Sequence, residues 1–334
     1  MRRTSVKIGF AVAFAVLQAG CSGSQELSQV TENQNSSQSA ANQELTQGNG
    51  LNVGTCGDIV DSVQVLKDGF KWTEGPAWDT NNERWIFSDV MGDTEYAISP
   101  SGDLTTLREN AGFPNGHAAT NDGSFVVAQH DRTLDSVMSD GTQFTLISDS
   151  FQGNKLNSPN DVAVAQDDSI FFTDPMFGIQ GFGPEKAESS LGYAGIFRMK
   201  DGSLDLINKQ LSTPNGIALT NDQKSLIVSD TGSNTLYTIN LDSYNGNPVE
   251  AVKLVELAPI EGGGEGHGPD GLRVSTDNKI WATGKGGINV LEADGTMNCA
   301  LPFPDHVSNL SFGGSDNKLV LATSSDKVYT INLK

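Results

Sequence analysis

The feature that most constrains the fold of this chain is a six-fold internal repeat, in which a turn leads into a strand of alternating apolar residues. Each copy continues into a polar turn and a second apolar strand, as in WIFSD, IFFTD and LIVSD. The copies begin with EGPAWD at Glu74, NGHAAT at Asn115, NDVAVA at Asn160, NGIALT at Asn215, DGLRVS at Asp270 and NLSFGG at Asn309. Successive copies start 39 to 55 residues apart, which is near the roughly 40–50 residues of a four-stranded propeller blade.

This rhythm predicts an all-β fold, a six-bladed β-propeller. The 37 glycines and 12 prolines agree with many short strands joined by tight turns, and long helical patterns are absent. A β-sandwich is the competing all-β fold. It does not account for six copies that share one motif in one register.

The acidic charge of the chain excludes one class of partner. Among 334 residues there are 21 Lys and Arg against 41 Asp and Glu, so the formal net charge is −20. Such a surface repels a phosphate backbone, and we therefore expect no nucleic-acid partner.

The first 21 residues are predicted to be a signal peptide. Arg2, Arg3 and Lys7 precede an apolar run over residues 8–17, which is too short to span a bilayer as a mature helix. The following LQAGC resembles the bacterial lipoprotein cleavage box, in which Cys21 becomes the lipidated first residue; simple secretion is the alternative. We therefore expect an extracytoplasmic protein, periplasmic or anchored by lipid to the outer membrane, with no other membrane contact.

The rest of the chain divides into a tether and one domain. Residues 22–53 are rich in Ser, Gln and Asn with almost nothing to bury, so they are predicted to be disordered. Residues 54–334 are predicted to form the propeller. Within it, Cys56 and Cys299 either form a disulfide, which an extracytoplasmic compartment permits, or remain two buried free thiols.

The residue that opens each copy is predicted to face the mouth of the central channel, because equivalent positions of propeller blades lie on a ring around the axis. All six of these residues offer a side-chain oxygen: Glu74, Asn115, Asn160, Asn215, Asp270 and Asn309. Oxygen ligands suit a hard cation such as Ca²⁺ and disfavour zinc. Any one Asn or Asp before Gly is an ordinary turn residue. The coincidence over six copies indicates a cation site.

The second strand of each copy runs antiparallel to the first, so it ends at the same mouth. Its last residues are predicted to be Asp89, His130, Asp174, Asp230, Gly284 and Ser324. We interpret Asp89 and Asp230 as caps of their own turns. Asp174 lies beside a long insertion, residues 176–195, that could form a lid, and it is a candidate for metal support or substrate contact.

Five motifs, in the order EGPAW, LNSPNDV, FTDP, TPNGIAL and GPDGL, resemble those of the gluconolactonase and regucalcin (SMP-30/gluconolactonase-like) family of six-bladed propellers. The resemblance covers the chain from about Phe70 onward. It implies a divalent metal, usually calcium, held by Glu74, Asn160, Asn215 and Asp270. It also implies hydrolysis of a sugar lactone with Asp270 as general base.

The same resemblance implies further contacts around the metal. Asn115 and Asn309 would support the metal ligands or contact the substrate. Lys155 lies where the family often has a basic substrate-contacting residue, and an exposed loop lysine is the alternative. His130 lies in VAQHDR, which is similar to a family segment, and it is a further candidate for substrate contact.

The predicted function is the opening of a lactone such as gluconolactone, in which Ca²⁺ or another divalent cation polarises the carbonyl and water attacks. A carboxylate bound to a dication is a weak base, so we predict that Asp270 positions the water while His267 accepts its proton. Two alternatives remain: a phosphotriesterase with the same metal site, and a non-catalytic lipid-tethered propeller that binds a ligand. We expect a small-molecule lactone as partner and a monomer.

Overall fold

The computed structural model describes residues 50–142 and 144–334. Their strands are arranged in six antiparallel sheets of four strands each, with one additional short hairpin. The first strand of every sheet lies against the first strands of two neighbouring sheets, and these contacts continue around a closed circle. The six-bladed β-propeller predicted from the repeat is therefore confirmed. The predicted signal peptide, Cys21 and most of the predicted tether lie outside the described residues.

Strands are numbered along the chain, and β1 (Val60–Asp68) belongs to the last blade. Each blade is given from its innermost strand outward. Blade one contains β2 (Thr73–Asp79), β3 (Arg84–Asp89), β4 (Thr94–Ile98) and β5 (Leu104–Glu109). Blade two contains β6 (Pro114–Ala119), β7 (Phe125–Gln129), β8 (Thr133–Val137) and β9 (Phe144–Ser148). The short hairpin of β10 (Ser150–Phe151) and β11 (Asn154–Lys155) follows.

The second half of the ring has the same organisation. Blade three contains β12 (Val162–Val164), β13 (Ile170–Asp174), β14 (Gly195–Lys200) and β15 (Ser203–Asn208). Blade four contains β16 (Pro214–Leu219), β17 (Ser225–Asp230), β18 (Thr235–Asn240) and β19 (Val252–Glu256). Blade five contains β20 (Leu272–Val274), β21 (Ile280–Gly284), β22 (Gly287–Leu291) and β23 (Met297–Pro302).

Blade six closes the ring by combining distant parts of the chain. It contains β24 (Val307–Gly313), β25 (Leu319–Ser324) and β26 (Lys327–Leu333), and β1 is its outermost strand. Val63 of β1 lies opposite Ile331 of β26 in this pairing. A disulfide joins Cys56, just before β1, to Cys299 in β23 of blade five. Of the two alternatives for these cysteines, the structure therefore has the bridge.

Apolar side chains fill the space between neighbouring blades. In β3, which reads RWIFSD, every residue after the first is buried, because a middle strand has a blade on each of its faces. Trp85 and Phe87 of this strand pack with Leu321 and Val328 of blade six. Burying one such side chain contributes about 1.5–3 kcal/mol. This packing holds the innermost strands, and the side chains at the axis, in place.

Helical structure in the described residues is limited to single turns. Three are 3₁₀ turns, Val90–Gly92, Thr231–Ser233 and Leu241–Ser243, and one is a π-type turn, Gly178–Phe182. None of these helices has the length and apolar character needed to cross a membrane.

The insertion at residues 176–195 is fastened to the blade beneath it. Ser158 accepts a hydrogen bond from the backbone of Gly178 (2.9 Å) and donates one to the carbonyl of Pro175 (2.7 Å). Ser189 donates to the side chain of Asn157 (2.6 Å). The π-type turn is therefore held over the end of the channel at which the innermost strands begin.

Candidate cation-binding and catalytic site

A cavity of about 220 Å³ opens at this end of the channel. Five of the six predicted ring residues line it: Glu74, Asn115, Asn160, Asn215 and Asp270. The rest of the lining consists of apolar and aromatic side chains, two histidines and a threonine: Trp72, Val90, Phe177, Phe182, His130, His267 and Thr231. The repeat thus brings oxygen-bearing side chains from five blades to one place.

The sixth ring position belongs to Ser308 and not to Asn309. In three blades the residue after the ring position donates its backbone N–H to the ring residue's carbonyl in the next blade: Gly116 to Asn160 (2.8 Å), Gly216 to Asp270 (3.1 Å) and Gly271 to Ser308 (2.6 Å). Strand pairing agrees, because Val307 lies opposite the last residue of β25, Ser324. The structure therefore corrects the predicted placement of Asn309. NLS resembles the NGI of the copy that opens at Asn215, but β24 carries Asn309 one residue further along the axis from the cavity.

His130 orients two of the asparagines. Its Nε2 faces the amide nitrogens of Asn115 (2.9 Å) and Asn160 (3.4 Å), and its Nδ1 faces the carbonyl of Phe182 (2.8 Å). The carbonyl can only accept, so Nδ1 carries the proton and Nε2 accepts from the amides. Burial lowers the pKa of His130 to about 4, which keeps the ring neutral. The amide groups therefore turn their nitrogens to His130 and their oxygens away from it.

Two amide oxygens at this site are buried without a hydrogen-bond partner, namely Oδ1 of Asn115 and Oδ1 of Asn215. Both residues use their amide nitrogens elsewhere: Asn115 toward His130, and Asn215 toward Thr231 (3.0 Å). A buried oxygen left unpaired is unfavourable by about 1–3 kcal/mol. Such oxygens lining one cavity are what a cation site requires before the ion binds.

Two carboxylates share the cavity with these oxygens. Burial raises the pKa of Glu74 well above its usual value, and the neighbouring Asp270 and Asp161 carboxylates raise it further. Burial also raises the pKa of Asp270 to about 8, and Asp161 contributes in the same direction. Two buried carboxylates in one cavity resist ionisation unless a positive charge accompanies them.

The residues present therefore fit a hard divalent cation. Carboxylate and amide oxygens converge, and the set includes no thiolate. Over residues 50–142 and 144–334 no group of three or more His, Cys, Asp and Glu side chains is placed to hold a metal. The candidate ligands Glu74, Asn160, Asn215 and Asp270 differ from such a group because two of the four are amides.

His306 is the residue that sequence reasoning missed. Its Nε2 lies 3.0 Å from Oδ2 of Asp270, whereas His267, the predicted proton acceptor, is exposed at the cavity edge with its ring packed on His306 (5.3 Å between centroids). Burial lowers the pKa of His306 to about 4, so its ring is neutral. The available signal was the clustering of histidines near the strand ends of this face. It did not show which histidine reaches Asp270.

Asp174 does not line the cavity and has the same role as two aspartates interpreted as caps. Its carboxylate accepts from the backbone of Asn157 (2.8 Å) and Ser158 (2.7 Å), just before the ring residue of blade three. Asp89 and Asp230 hold the corresponding segments of their blades in the same way, through Lys71, Trp72 and Thr213. The structure therefore corrects the role expected for Asp174: it fixes the backbone that presents a ring residue.

Two other predicted site residues, Lys155 and His130, lie at positions that differ from those expected. Lys155 is exposed in β11 of the short hairpin and is not among the cavity-lining residues, which fits the alternative of an exposed loop lysine. His130 lies one residue beyond the end of β7, since Gln129 is the residue opposite Pro114. This extra residue lets the His130 ring reach the cavity, where it contacts the asparagines.

Comparisons with known proteins show the family to which this fold belongs. The family described as the SMP-30/gluconolactonase/LRE-like region matches residues 72–326. A gluconolactonase of Zymomonas mobilis is 29% identical over 296 residues, which cover 81% of this chain and 81% of that protein. A pentonolactonase of Haloferax volcanii is 25% identical over 267 residues, which cover 79% of this chain and 84% of that protein.

The fold of this chain is also similar to that of a solved structure. The structure of a gluconolactonase from Xanthomonas campestris superposes with a TM-score of 0.74 at 27% identity. The superposition covers 84% of this chain and 91% of that chain. The similarity therefore includes the whole ring and not only the motifs around the cavity.

Proposed function

The chain belongs to the SMP-30/gluconolactonase/LRE-like family, and from that membership we propose that it is a cation-dependent hydrolase that opens a sugar lactone such as gluconolactone. Relatives named gluconolactonase and pentonolactonase match about four fifths of it, so the chain is a lactonase. The observation that carries the proposed cation dependence is the convergence of two buried carboxylates with two unpaired amide oxygens in one cavity.

Four side chains would hold the cation: Glu74, Asn160, Asn215 and Asp270. Asn115 presents a further unpaired oxygen from the neighbouring blade. A bound divalent cation would draw electron density from the lactone carbonyl and offset the negative charge that develops on its oxygen. Calcium is the favoured ion, because it accepts many oxygen ligands in flexible geometry.

Asp270 is the proposed general base. His306 engages one lone pair of Oδ2, so the other lone pair of Oδ2 and the whole of Oδ1 are left for the cation and a water molecule. The water oxygen bonds to the carbonyl carbon while one of its protons passes to Asp270. The ring carbon–oxygen bond then breaks, and that proton passes to the ring oxygen, which gives the open hydroxy acid. This route replaces the predicted transfer to His267.

The apolar wall of the cavity would cover the substrate. Trp72 and Val90 come from blade one, and Phe177 and Phe182 come from the fastened insertion. Flat apolar surfaces of this kind pack against the carbon framework of a small ring and exclude water around it. The insertion would therefore contribute to substrate choice.

The test is hydrolysis of gluconolactone, corrected for spontaneous opening, before and after treatment with a chelator. Loss of activity and its recovery with Ca²⁺ support the proposal, and Glu74→Gln serves as the matched inactive variant. Full activity after chelation would overturn the cation dependence. An aryl phosphotriester is assayed in parallel, because turnover of the phosphotriester without turnover of any lactone would favour the phosphotriesterase alternative.

We also propose that the protein acts outside the cytoplasm. The bridge between Cys56 and Cys299 suits an oxidising compartment, and the first 21 residues have the pattern of a signal peptide. Fractionation of cells that express the full chain tests this, with mass spectrometry of the mature N-terminus to distinguish lipidated Cys21 from a secreted form. Recovery of an uncleaved chain in the cytoplasm would refute the proposal.

A further inference from the structure

The channel of this propeller is built in layers, and the cavity occupies only the first. Glu74, Asn160 and Asp270 line it. Two or three residues further along the same strands, Pro76, Val162 and Arg273 line a second cavity, which opens at the opposite end of the channel. A middle layer separates the two cavities, and its residues directly follow the ring positions in sequence: Gly75, Gly116, Asp161, Gly216, Gly271 and Asn309.

Four of the six residues in this layer are glycines, so only the side chains of Asp161 and Asn309 extend into the channel there. A Cβ atom on Gly271 would lie 2.1 Å from Cγ of Asn309, and a Cβ atom on Gly116 would lie 2.6 Å from Oδ1 of Asp161. Non-bonded heavy atoms do not approach each other this closely, so glycine is required at both positions. The channel is therefore closed behind the first cavity by the side chains of Asp161 and Asn309.

Asp161 joins four blades at the axis. Its Oδ2 accepts from Arg273 of blade five (3.0 Å), from the backbone of Ile217 in blade four (3.3 Å) and from Asn309 of blade six (3.4 Å). Its side chain is about 1% exposed, and that of Arg273 is 17% exposed toward the second cavity. Asn309 is also within hydrogen-bonding reach of Glu74. Asp161 thus lies between the candidate cation ligands and the guanidinium.

The charged side chains of the cavity and of the middle layer affect the binding of a cation. Glu74, Asp270 and Asp161 are three carboxylates and Arg273 is one cation, so their formal sum is −2, which matches a divalent ion. The Asp161 charge acts on both Glu74 and Asp270. In a buried site such charges interact over several ångströms, because little water lies between them to screen the interaction.

We propose that Asp161 and Arg273 are positioning residues that set the affinity of the cavity for its divalent cation without touching it. The negative charge of Asp161 increases the attraction of the cavity for the cation, and the positive charge of Arg273 decreases it. The formal charges of the four residues and of the bound ion then sum to zero. This inference rests on the proposed cation dependence of the lactonase.

The test measures Ca²⁺ binding by titration calorimetry on the chelator-treated full chain, so it does not depend on activity. Asp161→Asn is expected to weaken binding roughly tenfold or more, and Arg273→Gln to strengthen it several-fold. The double variant restores a formal sum of −2 and is expected to bind within about threefold of the parent. Arg273→Lys keeps the charge and is the matched control.

If Asp161 and Arg273 had a purely structural role, both single substitutions would weaken Ca²⁺ binding. The double variant would then bind Ca²⁺ no better than either single variant. That pattern would overturn the inference, as would equal affinities in all variants. Melting temperatures in chelator show whether each variant is folded; if Asp161→Asn does not fold, the increase expected for Arg273→Gln decides alone. Absence of Ca²⁺ binding by the parent protein would overturn the proposed cation dependence itself, and this inference with it.

Discussion

Nε2 of His306 lies 3.0 Å from Oδ2 of Asp270, so a side chain of blade six holds the carboxylate presented by blade five. On the other side of the ring, the backbone N–H of His267 faces Nδ1 at 3.4 Å. An N–H at that position makes Nδ1 the acceptor and Nε2 the donor. Trp72 stacks on the imidazole with ring centroids 5.8 Å apart. The tautomer and the orientation of His306 are thus fixed, and Asp270 is oriented with them.

His306→Ala is expected to lower kcat for gluconolactone about 10- to 100-fold, the usual effect of removing a group that orients a ligand or base, with a smaller change in KM. His306→Gln retains an N–H donor and should recover part of the loss. Steady-state kinetics with a melting curve for each variant checks this. His267→Ala is the control and should keep most of its kcat, because His267 is exposed and does not hold Asp270. Parental kcat in His306→Ala would show that the contact has no catalytic role.

The side chain of Phe182 is expected to contribute to substrate affinity and not to the chemical step. It lines the cavity and is 47% exposed, and its backbone carbonyl, which a substitution retains, holds His130. Phe182→Ala should raise KM roughly fivefold, as the loss of about 1 kcal/mol of apolar contact would, with kcat nearly unchanged. Leu146→Ala is the matched control, since Leu146 is 53% exposed on the outermost strand of blade two. Equal KM values for the two variants would contradict the assignment.

Protons and the cation are expected to compete for Glu74 and Asp270. Both have pKa values raised in the folded state, to about 8 for Asp270. The contribution of Asp270 to stability is therefore complete below about pH 4 and is lost as the pH rises through about 8, and the contribution of Glu74 is lost in the same direction. In chelator the melting temperature should fall over this range, and the increase caused by Ca²⁺ should grow with pH. Thermal shift with Ca²⁺ or chelator between about pH 5 and pH 8 measures both.

The increment caused by Ca²⁺ is the diagnostic quantity in that experiment. Burial raises the pKa of Asp174 to about 7, so this residue lowers stability with rising pH whether or not Ca²⁺ is present. Glu74→Gln should abolish most of the Ca²⁺ increment and leave the contribution of Asp174 intact. A Ca²⁺ increment that is the same at both ends of the pH range would refute the competition.

Reduction of the disulfide is expected to destabilise the fold without altering the cavity. Cys56 and Cys299 are 243 residues apart in sequence, and a bridge over so long a loop contributes about 2–5 kcal/mol, mainly by restricting the unfolded chain. The double variant Cys56→Ser, Cys299→Ser should unfold at lower denaturant concentration with kcat unchanged. Urea titration of parent and variant, with and without reductant, measures this. If reductant does not change the urea concentration at the unfolding midpoint of the parent protein, the bridge is not formed in solution.

The parts of the site that could be predicted from sequence are those that the repeat dictates. Glu74, Asn115, Asn160, Asn215 and Asp270 each open a copy of one motif, and the fold places equivalent residues around one axis. The sixth copy could not be placed in the same way. Asn309 opens an alternating run as the asparagines of the other copies do, and only the strand pairing and backbone hydrogen bonds show that Ser308 occupies the ring position.

What sequence could not supply depends on loops and on contacts between blades. The glycine-rich segment before Asp270 has no periodicity, so its path, which leaves His267 exposed, was not predictable. The contact of His306 with Asp270 joins two blades and was not predictable either. Asp174 was expected at the cavity because it lies beside the insertion, but its carboxylate turns to its own backbone. Asp161 follows a predicted ligand directly, and nothing in the repeat singles it out. Its importance depends on Arg273, 112 residues away.

The pairing of β1 with β26 in blade six bears on how this molecule folds. Partners such as Val63 and Ile331 must find each other after most of the intervening chain has been ordered, and such non-local pairing makes folding slow. Until they do, two strand edges remain open, and open edges pair readily with other chains. Dilution should therefore favour correct refolding over aggregation, because β1 and β26 can then pair with each other before either edge meets another chain.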